Sequence, residues 1–283
     1  MDSQELYLAI IDDLEVKNIR IPIYWDQVEM SEGQFDFSQY DYIFDEGAKR
    51  DVKFIANIGW RLPRWPECHN PNWIDKNDSE KIESRIIFLL KQIVTRYQNR
   101  PEIVAWQIEN EPLFDWFGEC PKGNKEFLEK EVALVKNLDD SRPILISASG
   151  ELSTWRQEAK MADILGTTMY RVVWNPWFRY VRYPIPDWYY QVKLYLNGLR
   201  RDEVIISELQ AEPWVPNGTL ADLEFDEYYK SFSLDQFKAN LQFAINVDFK
   251  QTYLWGVEWW YVQKEKGHPE YWDIARTLFK NQQ

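Results

Sequence analysis

Short apolar runs alternate along this chain with longer segments of helical period, and that alternation constrains the fold more than any other feature. The runs cover residues 19–24, 53–58, 103–108, 143–147, 164–169, 203–207 and 252–257. Helical periodicity marks 3–17, 38–49, 79–97, 125–138, 151–161, 188–199, 234–246 and 269–279. A strand buried on both faces reads as a continuous apolar run, so the pattern predicts βα units on a parallel sheet. Seven strands and eight helices fall one strand short of an α/β barrel, a (β/α)8 TIM barrel, which has eight of each. The missing element lies at the front, where a helix stands with no strand before it. No Gly/Ser linker or change of composition divides the 283 residues, so a single domain is expected over 1–283.

A net charge of −13 argues against nucleic acid or an anionic membrane as partner, since both require basic surface. Fifteen Trp exceed what a core needs, and their flat apolar faces with polar edges suit binding surfaces such as those for sugar rings. The opening residues lack a charged n-region followed by a long apolar stretch, so a cytoplasmic location is the default expectation. Two cysteines imply no disulfide framework. Cys68 and Cys120 follow neighbouring strands, and they either pair or remain unrelated thiols.

In an α/β barrel the chemistry gathers at the carboxyl ends of the strands. Those positions here hold Trp25 after the first run and Trp60, Arg64 and His69 after the second. Asn110 and Glu111 follow the third, Tyr170 the fifth and Glu208 the sixth, while Trp255 and Trp259 belong to the seventh. Two glutamates ringed by aromatic and basic residues suit glycoside hydrolysis. One carboxyl acts as acid and then base, and the other as nucleophile or as base for water. Glu212 and Glu258 are weaker candidates for the second role. His and Glu spacing shows no metal site, and no cofactor is expected.

The stretch WQIENEP around Glu111 resembles the Asn-Glu-Pro signature of the retaining β-glycosidases of glycoside hydrolase clan A. IISELQAEPW around Glu208 is similar to that clan's nucleophile strand. IRIPIYW, EGQFDFSQYD and YLWGVEWW extend the resemblance over nearly the whole chain. In the clan the acid/base follows strand four and the nucleophile strand seven. Both are early by one here, which places the missing strand first. The resemblance implies that Glu111 is the acid/base and Glu208 the nucleophile. It implies that Asn110 bonds the sugar 2-hydroxyl, that Arg20 holds the nucleophile ionised and that Tyr170 orients it. Trp259 or Trp255 becomes the platform under the reacting sugar. Period-2 counting along the last strand favours Trp259.

The implied partner is a β-linked oligo- or polysaccharide. A barrel one strand short exposes two sheet edges. These either pair with a second chain, giving a homodimer, or leave a gap and weak activity. The rival reading is a carbohydrate-binding or degraded enzyme that kept the cleft. The aromatic and basic stretch 170–190 is open to three readings: a lid or substrate contact, a partner surface, or a surface lying on a membrane.

Overall fold

A computed structural model describes residues 2–214, 216 and 225–280. In chain order it begins with α1 (Ser3–Leu8), a π-helical turn (Ala9–Asp13), β1 (Asn18–Pro22), α2 (Trp25–Val28), α3 (Ser38–Ala48) and β2 (Lys53–Ile58). Next come α4 (Ser79–Tyr97), β3 (Ile103–Ile108), α5 (Lys125–Leu138), β4 (Ile144–Ala148), α6 (Glu158–Met161) and β5 (Ile164–Met169). A hairpin of β6 (Val172–Asn175) and β7 (Arg179–Arg182) precedes α7 (Trp188–Leu196) and β8 (Val204–Gln210). The chain closes with α8 (Phe225–Ser231), α9 (Leu234–Val247), β9 (Thr252–Trp255), α10 (Val257–Glu265) and α11 (Glu270–Lys280).

The main sheet has seven strands in the order β1-β2-β3-β4-β5-β8-β9. Its resolved pairings are parallel. Sequential strands joined through helices make this the topology of a (β/α)8 barrel with one strand fewer. The chain divides into two compact units. One holds Asn18–Ser149 and Ser153–Gly166; the other holds Met1–Lys17, Gly150–Leu152 and Thr167–Gln283. The division falls inside β5.

In the first unit α4 buries Ile82, Ile86, Leu89, Leu90, Ile93, Val94 and Tyr97, a stripe at the three- and four-residue spacing of one helix face. The Asp78 carboxylate starts that helix by accepting from the Lys81 amide at 3.0 Å, and Asn124 starts α5 by accepting from Phe127. Arg142 satisfies carbonyls just past the end of α4. It donates to the oxygens of Gln98 and Arg100 at 2.7 Å and of Ile103 at 2.6 Å, and it pairs with the buried Asp139. Asp139 also accepts from the Trp106 indole at 2.8 Å.

In the second unit Asp13 ties the turn after α1 to α11. Its carboxylate accepts from Arg276 at two positions and from the Trp272 indole, each at 2.8 Å. Hydrogen bonding from Arg276 is the main cause that holds the Asp13 pKa down at about 2. Gln210, buried in β8, clasps the start of the hairpin by accepting from the Arg171 and Val172 amides and donating to the Val172 oxygen.

Several sequence expectations need correction. The helix expected over 151–161 shrinks to α6, because Glu151 turns inward to bond and Trp155 takes a left-handed φ of 68°. The last strand stops at Trp255, and Gly256 at φ 137° turns the chain into α10. There a Cβ would lie 2.6 Å from that of Glu212, so only glycine fits. Stretch 170–190 supplies the β6–β7 hairpin and the start of α7. Among the described residues no helix is long and apolar enough to cross a membrane.

Replacing Arg142 with Ala strands the buried Asp139 and three carbonyls. The expected loss is about 3 kcal/mol, read as a lower urea midpoint; an unchanged midpoint would show that solvent substitutes for the guanidinium.

Candidate active site

Glu111, the expected acid/base, sits just past the end of β3. Glu109 and Glu111 both adopt left-handed φ values, 58° and 46°, a conformation uncommon outside glycine and concentrated at functional sites. Asn110 sits between them, buried. Its Oδ1 accepts from Arg20 of β1 at 2.9 Å and from the Ser147 hydroxyl of β4 at 3.0 Å, and its amide donates to the Arg61 oxygen at 2.6 Å. Arg20 also donates to Gln107 at 2.5 Å. The amide of Glu111 donates to the same Ser147 hydroxyl at 2.9 Å. Three strands thereby fix the backbone that carries Glu111.

Glu109 braces the neighbouring loop. Its carboxylate accepts from the amides of Trp60 and Arg61. Gly59 allows this approach, because a Cβ there would fall 2.3 Å from Oε1. Burial raises the Glu109 pKa. Burial, and then the charge of Glu109, drive that of Glu131 on α5 well above the ordinary carboxyl value. Burial and the neighbouring Glu109 thus favour the protonated form of Glu131, which hydrogen-bonds to Glu109. Glu131 lies on the face of α5 shared by Phe127, Leu128, Val132 and Val135. A charged residue on an apolar helix face was the signal for this pair.

The remaining candidates after β1 and β2 divide. Trp25 is fully buried in α2, and its indole donates to Glu29 at 2.7 Å, so its expected substrate contact is corrected to a core role. Trp60 is half-buried and donates its indole N–H to Asn70. His69 packs on Tyr24 with ring centroids 4.3 Å apart, and burial lowers its pKa. One ring nitrogen lies 3.2 Å from the oxygen of Arg64, which itself has φ 80°. These contacts make His69 and Arg64 braces of a tight loop. Cys68 and Cys120 are joined by a disulfide, with Cα atoms 5.4 Å apart.

Glu208, the expected nucleophile, lies on β8. Glu208 is 4% exposed, and its Oε2 accepts from the Tyr170 hydroxyl at 2.8 Å. Tyr170 packs edge-on to Trp214. Behind it stands Glu151, missed in the sequence because its segment reads as helical. Its Oε1 accepts from the Tyr170 amide at 2.9 Å and from the Tyr190 hydroxyl of α7 at 2.8 Å. Burial raises the Glu151 pKa to about 7 against those bonds and the charge of Lys193, whose ammonium donates to the Gly150 oxygen.

The two platform candidates separate cleanly. Trp259 lies on α10, not on the strand. It is 3% exposed and packs against Tyr228, Phe232 and Tyr271. Period-2 counting fails for it because the strand has already ended. Trp255 closes β9, half-buried. Glu258 lies on α10, and Glu212 is buried against Gly256. Among the described residues no cluster of three His, Cys, Asp or Glu could hold a metal ion.

A parallel βα sheet with an Asn-Glu pair at one strand end and a tyrosine-bonded glutamate on another is the frame of a clan A β-glycosidase. The chain belongs to the cellulase family, glycosyl hydrolase family 5, whose model matches residues 2–182. That match includes Glu111 and stops before Glu208. A β-galactosidase of Clostridium cellulovorans is 20% identical over 168 residues, covering 52% of this chain and 25% of that protein. Endoglucanase H of Acetivibrio thermocellus is 28% identical over 115 residues, 39% of this chain and 12% of that protein. The chain thus spans a quarter or less of either relative. A solved GH42 β-galactosidase from G. stearothermophilus superposes with a TM-score of 0.61 at 11% identity, over 89% of this chain and 48% of that one. At that identity the likeness shows the fold, a TIM barrel.

Two outcomes test this site. Trp259→Ala opens a core cavity and lowers stability by about 3–5 kcal/mol, whereas Trp255→Ala should leave the unfolding midpoint near its native value. The reverse pattern would restore Trp259 as platform. The second concerns Glu151. Held at about 7 in the fold against 4.5 ordinarily, its carboxyl keeps a proton that the unfolded chain releases earlier. Its contribution to stability is complete below pH 4.5 and is lost as pH rises to about 7, on the order of 3 kcal/mol. Glu151→Gln should flatten this part of the melting-temperature profile; identical profiles would place the Glu151 pKa near its ordinary value.

Proposed function

We propose that this chain hydrolyses β-glycosidic bonds with retention of configuration. Glu208 attacks the anomeric carbon while Glu111 gives its proton to the departing oxygen, leaving a covalent glycosyl-enzyme. Glu111, now a carboxylate, takes a proton from water, whose oxygen displaces Glu208 and frees the sugar. The Tyr170–Glu208 bond carries this reading. A phenol donating to Oε2 fixes the rotation of the carboxylate that attacks. Family membership supports the chemistry, and Arg20 on Asn110 supports a 2-hydroxyl contact that strengthens in the transition state.

Asn110 offers its amide for that contact, in exchange for the long bond of 3.5 Å that its Nδ2 donates to Glu67. Trp255 serves as the platform. The substrate is a β-linked oligo- or polysaccharide. A seven-stranded sheet favours modest turnover, because a misplacement of about 1 Å costs about 10²-fold in rate. The Cys68–Cys120 disulfide supports work in an oxidising compartment, since such bonds are rare in the cytosol.

A panel of β-glycosides and β-linked polysaccharides, with Glu111→Gln and Glu208→Gln alongside, tests the assignment. Each substitution should lower kcat/KM by at least about 10²-fold. NMR of the first product formed should show the β-anomer; an initial α-anomer would replace retention by inversion. Sugar binding by a native chain that turns nothing over would favour the binding-protein alternative.

A further inference from the structure

The loops after β2 and β3 are joined far more firmly than two surface loops require. The disulfide joins Cys68 to Cys120. The Glu119 amide donates to the Pro66 oxygen at 2.9 Å, and the Arg61 guanidinium donates to the Phe117 oxygen. Gly118, at φ 87°, lies so close to the first loop that a Cβ would meet Glu67 at 2.9 Å. The second loop closes on itself through Gly123, whose amide donates to Asp115 at 2.7 Å.

This rigid pair holds large apolar side chains out in water. Trp65 is 60% exposed and Trp116 is 86% exposed, with the Phe117 ring edge-on to Trp65 at 5.7 Å. Exposed tryptophans on a fixed scaffold mark a binding surface. The second loop begins at Glu111 itself, whose oxygen accepts from the Phe114 amide at 2.9 Å.

We propose that these disulfide-joined loops form a platform on which Trp65 and Trp116 stack the sugars of the leaving group. It takes a neutral β-linked oligosaccharide extending beyond the scissile bond. This rests on Glu111 being the proton donor, because the acid stands beside the departing oxygen and the loop leaving it lies on that side. Two tryptophans and a phenylalanine offer a few hundred Å², against about 800 Å² per partner for a stable dimer. Asp115 and Glu119 lie beside Trp116 in a chain of charge −13, which disfavours polyanions and anionic membranes. A neutral sugar chain meets neither obstacle, and its apolar ring faces match an indole.

Native electrophoresis through gels containing hydroxyethylcellulose, xylan, glucomannan or β-1,4-galactan tests the platform without requiring turnover. The native chain should be retarded by at least one polymer. Trp65→Ala and Trp116→Ala should each weaken that retention about tenfold, the loss of about 1.4 kcal/mol of stacking. Cys68→Ser/Cys120→Ser should weaken it through loop release. In parallel, the ratio of kcat/KM on the polymer to that on the matching β-glycosyl fluoride, whose leaving group reaches no platform, should fall about tenfold in the tryptophan variants. Retention and ratio unchanged by both tryptophan substitutions would overturn the platform, as would a dimer in light scattering that Trp116→Ala dissociates. Tryptophan-dependent retention in a chain that hydrolyses nothing would keep the platform and sink the glycosidase reading instead.

Discussion

The carbonyl oxygen of the Asn110 side chain is the joint of the turn that carries Glu111. It accepts from β1 through Arg20 and from β4 through Ser147, while its own backbone lies in the turn that follows β3. The bonds are short and buried, so losing one partner would leave a polar atom unsatisfied at a cost of about 1–3 kcal/mol. Ser147 then sets the amide of Glu111, and Glu109 on the other side sets the loop carrying Trp60 and Arg61. Left-handed backbone at both glutamates is tolerated because this network over-determines the turn.

A second theme is the placing of protons away from the reacting groups. Glu131 holds one for Glu109, and Glu151 titrates near 7 behind Tyr170. Neither carboxyl is assigned to the reaction. Glu109 and Glu151 each orient backbone amides, since a buried carboxyl can accept from two donors at once. The sites differ in how they tolerate burial. Glu109 has a protonated partner, whereas Glu151 has two tyrosines and a lysine close by.

The sheet was legible because its signal is local. The run 103–108 matches β3 residue for residue, and the β8 run was found although it extends to Gln210. The β6–β7 hairpin was not legible. Part of its anchoring comes from Gln210 clasping Val172, a contact 38 residues apart. Trp259 was misread because TYLWGVEWW alternates until Gly256, and only the backbone at that glycine turns the segment into a helix.

By itself the sequence determined the class of fold and the carboxylates at the strand ends, because strand burial and the Asn-Glu-Pro signature are written in consecutive residues. Tertiary structure decided the rest. It ended β9 at Trp255 and buried Trp259 on a helix, joined Cys68 to Cys120, buried Trp25 in the core and brought Glu151 beneath Tyr170. Each of these depends on partners far apart along the chain, and a buried polar or aromatic side chain takes its role from the neighbours that surround it.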